Sequence, residues 1–166
     1  VVLDDDILGS RGDGFHKMLA TLDRGRLSIA AMGLGCAQGA YELGLAYAKQ
    51  RKQFGKPISS FQLNAAKLAD MYTEITSARM LLYHAAWLCD EHRSDFKVFA
   101  AMAKLKCSEV AHLCVNHALQ LHGGYGLLKD YDIERFYRDQ RLLEIGEGTS
   151  EIQRLIIARH LGCFNE

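Results

Sequence analysis

The chain contains a single proline, Pro57, among 166 residues, and this scarcity constrains its fold more than any other feature of the sequence. Proline interrupts helices and central strands, so a chain that almost lacks it can form long, continuous helices. Clusters of glycine, which also break regular structure, occur at only a few places, and the segments between them carry apolar residues at helical spacing. We therefore predict long helices joined by short loops.

Apolar periodicity predicts five helices. No segment, apart from the first few residues, alternates apolar and polar side chains with the period of a strand. The first three helices would each be about 40–55 Å long, which is long for an isolated small domain and predicts an oligomer. We predict an all-α fold, an up-down four-helix-type bundle with one extra short helix. The first predicted helix spans about residues 15–50, and the second begins with a capping box at Ser59–Gln62. The third starts near Ser94 and the fourth follows Asp130 or Asp132. The fifth follows Thr149 or Ser150, where Ser150 and Gln153 have the spacing of a second capping box.

Small residues recur once per turn along the middle of the first helix. Gly33, Ala37, Ala40 and Gly44 would lie on one face of this helix. Glycine inside a helix costs about 1 kcal/mol relative to alanine, so its presence here needs a compensating reason. We predict that a neighbouring helix packs closely against this face.

Charge and hydropathy exclude several classes of protein. The 20 basic and 20 acidic residues give a net charge of +0, so the chain lacks the basic surface expected of a protein that binds nucleic acid or anionic membranes. The longest uncharged stretch, Leu27–Tyr41, is shorter than the roughly 18 apolar residues of a membrane span, and the acidic N-terminal segment does not resemble a signal peptide. We expect neither a nucleic-acid partner nor membrane insertion.

The cysteine and histidine pattern does not favour a metal site. Five cysteines without a C-x-x-C pair predict reduced, mostly buried thiols in a cytosol-like compartment. Glu109 and His112 have the Glu-x-x-His spacing of di-metal carboxylate bundles, but such centres need a second copy of the motif. No other glutamate of the chain has a histidine three residues later, so we interpret both residues as polar groups at the bundle edge.

An acidic residue between two glycines precedes the last predicted helix. Gly146 and Gly148 remove neighbouring side chains and permit positive φ, so Glu147 can be presented into a cavity. The helix N-terminus beyond it offers amide groups to an electron-rich ligand. Composition alone favours a simpler interpretation, a solvated loop with an exposed glutamate. Both interpretations stay open at this level.

Three further segments each have a structural and a chemical interpretation. The glycines of LQLHGGYG either cap a helix or let the backbone approach a flat ligand. The cations of RKQFGKPI either complement a helix dipole or bind a diphosphate. Asp23 and Arg26 lie three residues apart on one helical face, and such ion pairs are usually exposed and contribute only about 0.2–0.5 kcal/mol.

The order and spacing of these segments resemble the C-terminal helical domain of the acyl-CoA dehydrogenase family, and the likeness covers essentially the whole chain. Residues 1–14 resemble the end of the family's middle β-domain with its linker, and residues 15–166 resemble its helical bundle domain. The segments that carry the resemblance are LDRGRLSIAAMGLGCAQGA, YAKQRKQFGKPISSFQ, KLADM, LQLHGGYG, IERFYRD and EIGEGTSEIQRLIIAR.

The resemblance implies α,β-dehydrogenation of an acyl-CoA thioester, in fatty-acid or branched-chain acyl-CoA oxidation. Glu147 matches the base that removes the α-proton, while the β-hydrogen leaves as hydride to FAD and an electron-transfer flavoprotein reoxidises the flavin. Some members place the base on the first helix instead, at the position of Gly25. The other implied site residues are Arg51, Gln53, Phe54, Gln62, Gln120, Gly123, Gly124, Thr149 and Glu151 for FAD, and Asp23, Arg26 and Gly148 for the substrate.

The resemblance also implies a homotetramer, built as a dimer of dimers, in which Arg51, Gln53 and Phe54 reach FAD across a subunit interface. The implied location is the cytoplasm of a bacterium or the mitochondrial matrix of a eukaryote. Because the family's other flavin-binding domains are missing from these 166 residues, we expect the isolated chain to bind FAD weakly and not to turn over.

One departure from the family pattern concerns the acyl pocket. Many members have Tyr immediately before the catalytic Glu, whereas Gly146 occupies this position here. A missing ring predicts a wider pocket that accepts a branched or bulky acyl group. Two alternatives to a dehydrogenase stay open: an acyl-CoA oxidase on the same scaffold, and a non-catalytic helical module for oligomerisation or binding.

Overall fold

The computed structural model describes residues 6–164, in which the chain forms a bundle of helices. Residues 6–13 form bends and turns ahead of the first helix, and the part of the predicted domain exit at 1–5 lies outside the described residues. The elements are α1 (Gly14–Gln50), β1 (Lys52–Gln53), β2 (Lys56–Pro57), α2 (Gln62–Asp90), α3 (Phe96–His122), α4 (Asp132–Asp139), α5 (Arg141–Ile145) and α6 (Ser150–His160), with 3-10 turns at Ile58–Ser60 and Gly123–Leu127.

Three long helices dominate the bundle, as the scarcity of proline predicts. Helices α1, α2 and α3 contain 37, 29 and 27 residues, which correspond to lengths of about 55, 43 and 40 Å. Helix α6 packs against α3 and completes the four-helix-type bundle, so the predicted all-α class is confirmed. One detail differs from the prediction. In place of one extra short helix, the described residues form two, α4 and α5, which meet at the buried Gln140.

Helices α1 and α3 approach each other closely along the face of small residues. A Cβ atom added to Gly33 would lie 2.9 Å from the carbonyl oxygen of Cys107, and one added to Gly44 would lie 3.1 Å from Cβ of Ala118. The two glycines are separated by as many residues as their two partners, so α1 and α3 run parallel. The face of small residues is therefore a helix contact, as predicted, because a larger side chain would push the helices apart.

The predicted capping box at Ser59 is wrong. Ser59 lies in a 3-10 turn, and α2 begins at Gln62 after the N-cap residue Phe61, without a side-chain capping bond. The hydroxyl of Ser60 donates a hydrogen bond to the carbonyl oxygen of Pro57 at 2.7 Å. The serines therefore belong to the turn that follows the proline, and the helix starts two residues later than predicted.

The last helix begins where the glycine-flanked segment ends, but its cap differs from the predicted one. Thr149, not Ser150, is the N-cap residue, and its Oγ1 accepts a hydrogen bond from the amide of Ile152 at 3.4 Å. A hydrogen bond with the Thr149 side chain also lowers the pKa of Glu151. Gln153, the predicted capping partner, is buried instead and bonds the preceding loop.

A short hairpin between α1 and α2 was not predicted. Strands β1 and β2 pair antiparallel, with Lys52 opposite Pro57 and Gln53 opposite Lys56. The two turn residues, Phe54 and Gly55, have φ of 50° and 79°, the backbone region of a tight two-residue hairpin turn. Strands of two residues are too short for an alternating pattern to be visible in the sequence.

The Glu-x-x-His residues have separate partners. Glu109 forms an ion pair with Arg154 of α6, and Nδ1 of His112 lies 3.1 Å from Nε2 of Gln140. Within residues 6–164, no three His, Cys, Asp or Glu side chains come together in a way that could hold a metal ion. No helix in this part of the chain combines the length and apolar character needed to cross a bilayer.

The five cysteines are free thiols, as predicted from their spacing. Burial raises the pKa of Cys107 and Cys114 to about 12 and that of Cys36 to about 11. These three thiols are therefore protonated at neutral pH and poor nucleophiles. Cys163 is exposed and Cys89 is half-buried.

Candidate active site

The loop between α5 and α6 presents one carboxylate. Glu147 is half-buried and has a φ of 54°, a left-handed conformation that is uncommon for residues other than glycine. Gly148 follows with a φ of 92°, which a residue with a Cβ atom adopts only under strain. Gly146 has an ordinary extended backbone, with φ −63° and ψ 153°. The loop conformation therefore needs a glycine at 148 but not at 146.

The Glu147 carboxylate lies against α1 at Gly25. A Cβ atom added to Gly25 would lie 2.8 Å from Oε2 and 3.1 Å from Cδ of Glu147. The carboxylate thus occupies the space that a side chain at position 25 of α1 would fill. The two positions that the family resemblance associates with the base meet at one point in this fold.

Asp23 and Arg26 lie on α1 on either side of Gly25 in the chain, and they form an ion pair that is largely buried. Their side chains are only 13% and 10% exposed and meet at 2.5 Å, and Nζ of Lys97 lies 3.2 Å from the other Asp23 oxygen. The Nε atom of Arg26 is buried and has no hydrogen-bond partner among the described residues. The usual interpretation of such spacing as a solvated pair is wrong here, because α3 and the Glu147 loop cover this face of α1.

Two buried side chains bond the carbonyl groups of the loop. Nζ of Lys104, on α3, donates a hydrogen bond to the Gly148 oxygen at 2.8 Å. Nε2 of Gln153, on α6, donates to the same oxygen at 2.9 Å and to the Glu147 oxygen at 3.2 Å. Burial lowers the pKa of Lys104, and the nearby carboxylates of Glu144, Glu151 and Glu147 oppose that shift.

Lys104 and Gln153 were missed as site residues. A lysine in a helix is ordinarily assigned to the solvated face. The available signal was helical spacing, because Ala100 and Cys107 are buried four residues before and three residues after Lys104.

A second cluster lies at the other end of α1. Four of the residues that the resemblance assigns to FAD, Arg51, Gln53, Gly123 and Gly124, line one pocket of about 450 Å³. Gly123 ends α3 with φ 61° and ψ −140°, a conformation available to glycine and few other residues. The pocket therefore combines a guanidinium with exposed backbone, which suits a diphosphate-containing ligand.

Aromatic side chains complete this pocket, and sequence reasoning missed them. The His122 ring stacks on Tyr47 with ring centres 4.2 Å apart, and the Arg51 guanidinium lies 5.7 Å from the centre of the Tyr125 ring. Nδ1 of His122 is 2.7 Å from the Ala118 carbonyl oxygen. These rings offer flat apolar surface beside the cation. Their positions follow from the contact between the ends of α1 and α3, which no local pattern encodes.

The remaining predicted FAD residues lie outside this pocket. Phe54 is 92% exposed at the tip of the hairpin, and its ring meets that of Phe61 edge to face. Gln62 and Gln120 are also exposed. Thr149 and Glu151 lie at the start of α6, beside Glu147 rather than beside the aromatic pocket.

The two clusters are far apart. Gly25, under Glu147, and Arg51, in the pocket, are separated by most of α1, which corresponds to about 39 Å along the helix axis. A single dinucleotide cannot contact both clusters of one chain. The structure therefore brings the predicted site residues together as two groups and not as one.

The bundle and its glycine-flanked carboxylate define the class of protein. The family model described as acyl-CoA dehydrogenase, C-terminal domain, matches residues 12–162. The chain belongs to the acyl-CoA dehydrogenase family and corresponds to its C-terminal domain.

Known relatives agree with this assignment. The chain is 56% identical over 156 residues to the probable acyl-CoA dehydrogenase YngJ of Bacillus subtilis, covering 94% of the chain and 41% of that protein. It is 49% identical over 156 residues to 3-(aryl)acrylate reductase of Clostridium sporogenes, with the same coverage. The solved structure of butyryl-CoA dehydrogenase from Megasphaera elsdenii matches with a TM-score of 0.93 and 42% identity, over 96% of this chain and 41% of that one. The chain thus spans about two fifths of the length of these relatives.

Proposed function

We propose that this chain is the base-bearing domain of an FAD-dependent acyl-CoA dehydrogenase and that Glu147 removes the α-proton of the acyl-CoA thioester. The observation that carries the proposal is the Glu147 carboxylate, held at positive φ against the bare backbone of Gly25. A base must be fixed within reach of the proton that it abstracts, and strained backbone at such a residue is typical of catalytic sites.

The residues near Glu147 favour proton abstraction next to a carbonyl group. Enclosure by the acyl chain and the flavin would exclude water and favour transfer of the weakly acidic α-proton to the carboxylate. Amide groups at the start of α6 can stabilise the enolate-like charge that develops on the thioester oxygen. Asp23, Arg26 and Gly148 border the same space and would contact the substrate.

The pocket at the other end of α1 fits FAD. Arg51 and Gln53 would bond the diphosphate region, Gly123 and Gly124 allow close approach of the backbone, and the bound flavin would supply the hydride acceptor. Phe54, Gln62 and Gln120 lie on the exposed rim. Because Thr149 and Glu151 belong to the distant cluster, a complete flavin site needs groups from two chains. This separation supports an oligomer in which chains share the flavin site, and we propose the homotetramer, a dimer of dimers, that the family resemblance implies.

The proposed partners follow from the same assignment. An electron-transfer flavoprotein would reoxidise the flavin, and the enzyme would work in a bacterial cytoplasm or a mitochondrial matrix. Large apolar side chains on α2, including Met80, Tyr83 and Trp87, are exposed in the isolated chain. Such surface is expected to be covered by further subunits or domains in the complete enzyme.

The test uses the full-length protein that contains this domain, purified with its flavin. We expect acyl-CoA substrates to bleach the flavin absorbance without oxygen, and electron-transfer flavoprotein to restore it. Rapid reoxidation by oxygen with stoichiometric hydrogen peroxide would favour the acyl-CoA oxidase instead. No bleaching with any acyl-CoA would favour the non-catalytic module. Because one similar relative is named a reductase, reduction of enoyl-CoA by the reduced protein is measured as well.

The size of the acyl pocket can be tested at Gly146. A Cβ at this position would meet only Leu142, whose carbonyl oxygen lies 3.4 Å away, so the loop tolerates a larger residue. We propose that the missing ring leaves room for a branched or bulky acyl group. The variant Gly146→Tyr is expected to lower kcat/KM for branched substrates about tenfold relative to butyryl-CoA, roughly the discrimination of one or two methylene groups in a pocket. A wild-type enzyme that strongly prefers short straight chains would contradict this prediction.

A further inference from the structure

Lys104 is a fully buried cation, with an exposed fraction of 0%. It lies on α3 among alanine and cysteine residues, and its Nζ reaches across to the carbonyl oxygen of Gly148 at 2.8 Å. Burying an ammonium group costs free energy unless the group is paired or hydrogen-bonded. The hydrogen bond to the Gly148 oxygen in the Glu147 loop is therefore an interaction that offsets this cost.

A second buried side chain bonds the same loop. Gln153 is also 0% exposed, and its Nε2 lies 2.9 Å from the Gly148 oxygen and 3.2 Å from the Glu147 oxygen. The carbonyl groups of Glu147 and Gly148 thus accept hydrogen bonds from side chains of two different helices, α3 and α6. Lys104 lies 43 residues before Glu147 in the chain, whereas Gln153 lies in the helix that follows the loop. If either donor rotated away, it would leave a buried polar group unpaired.

These bonds fix the loop in a conformation that it would not adopt alone. Glu147 has a positive φ, and such a residue keeps that conformation only where its surroundings determine it. In a trans peptide the N–H points opposite to the C=O, so the amides of Gly148 and Thr149 are directed away from Lys104 and Gln153. The loop therefore turns its carbonyl groups into the bundle and its amides outward.

The charges around Lys104 suit this arrangement. Burial disfavours the ammonium form of Lys104 and lowers its pKa. The carboxylates of Glu144 on α5, Glu151 on α6 and Glu147 in the loop favour the ammonium form, while Arg26 on α1 opposes it. Helices α5 and α6 flank the loop on both sides. The cation thus lies at the junction at which α5, the loop and α6 meet α3.

We propose that Lys104 is a positioning residue, which acts through the Gly148 carbonyl group to hold Glu147 against Gly25. This inference rests on the proposed function of Glu147 as the base. It assigns a catalytic consequence to a residue of α3 that lies 43 positions before the base and is enclosed within the bundle.

The test compares Lys104→Met with Lys106→Met in the full-length flavoprotein. Lys106 lies on the same helix but pairs with Glu74 of α2, outside the site. We expect Lys104→Met to slow flavin reduction in a single turnover about 30-fold, with less than a threefold change in the Kd of the acyl-CoA. Flavin content and Tm should be retained, because Gln153 still bonds the neutral Gly148 oxygen and methionine fills a similar volume without the cost of burying a charge. Lys104→Arg, which keeps a donor, should recover most of the rate.

Hydrogen exchange supplies a readout that does not need activity. Amides of residues 146–149 should exchange about tenfold faster in Lys104→Met than in the wild type or in Lys106→Met. Unchanged exchange and unchanged flavin reduction would overturn the proposal, as would a parallel loss of Tm, flavin and rate, which indicates a purely structural lysine. If none of the acyl-CoA substrates reduced the flavin of the wild-type protein, the proposed function would be refuted. The exchange comparison would still decide whether Lys104 holds the loop.

Discussion

Replacing Glu147 with glutamine is expected to lower kcat of the full-length enzyme about 10³-fold, within the range typical of a lost general base. Glutamine has nearly the shape of glutamate, so it can occupy the same space against Gly25, but its amide cannot accept the α-proton. Binding of the substrate should therefore change little. The measurement is anaerobic flavin reduction by saturating acyl-CoA, together with the flavin content of the purified variant.

The matched control for this variant is Glu91→Gln, which makes the same chemical change at the exposed end of α2. It should turn over at the wild-type rate. If Glu147→Gln retained flavin and turned over within threefold of the wild type, Glu147 would not be the base. The non-catalytic interpretation of the bundle would then be favoured.

Replacing Gly25 with alanine is expected to lower kcat about 10²-fold while stabilising the protein. The added Cβ would lie 2.8 Å from the Glu147 carboxylate oxygen, so the flexible carboxylate must move, and a displacement of about 1 Å at a catalytic group can cost a factor of about 10². At the same time alanine is favoured over glycine inside a helix by about 1 kcal/mol. Activity and Tm should therefore change in opposite directions.

Gly35→Ala is the control, because it makes the same substitution on the same helix. A Cβ at Gly35 would have no atom within 4 Å, so this variant should gain similar stability and keep its activity. Wild-type kcat in Gly25→Ala would show that Glu147 does not rest against α1 when it reacts. A lower Tm in Gly25→Ala would indicate that the carboxylate cannot move aside and that the helix is disturbed instead.

Local sequence patterns predicted most of the helical architecture. The bounds of α1 were predicted to within one residue, because proline and glycine interrupt a helix wherever they occur and apolar spacing follows its turn. The tight contact at Gly33 was also predicted, since glycine in a helix interior needs a packing reason. The capping box at Ser59 was wrong because Pro57 imposes a turn on the same residues, and a three-residue signal cannot show which of two local structures is more stable.

The candidate site was predicted in part. Glu147 was recognisable because two glycines flank it and a helix follows, and the family motif agrees with that pattern. Its contact with Gly25 and the burial of the Asp23–Arg26 pair were not visible, because α1 and the loop are more than 100 residues apart in the chain.

The amino-acid sequence by itself determined the helical class, the approximate bounds of the long helices and the identity of the candidate base. These follow from backbone preferences and from residue types at short spacing, which are properties of neighbouring residues. Only the tertiary structure decided that the predicted site residues form two clusters about 39 Å apart, and that Lys104 and Gln153 bond the carbonyl groups of the Glu147 loop. Both depend on which helix faces meet, and that is set by packing of the whole bundle between residues distant in the chain.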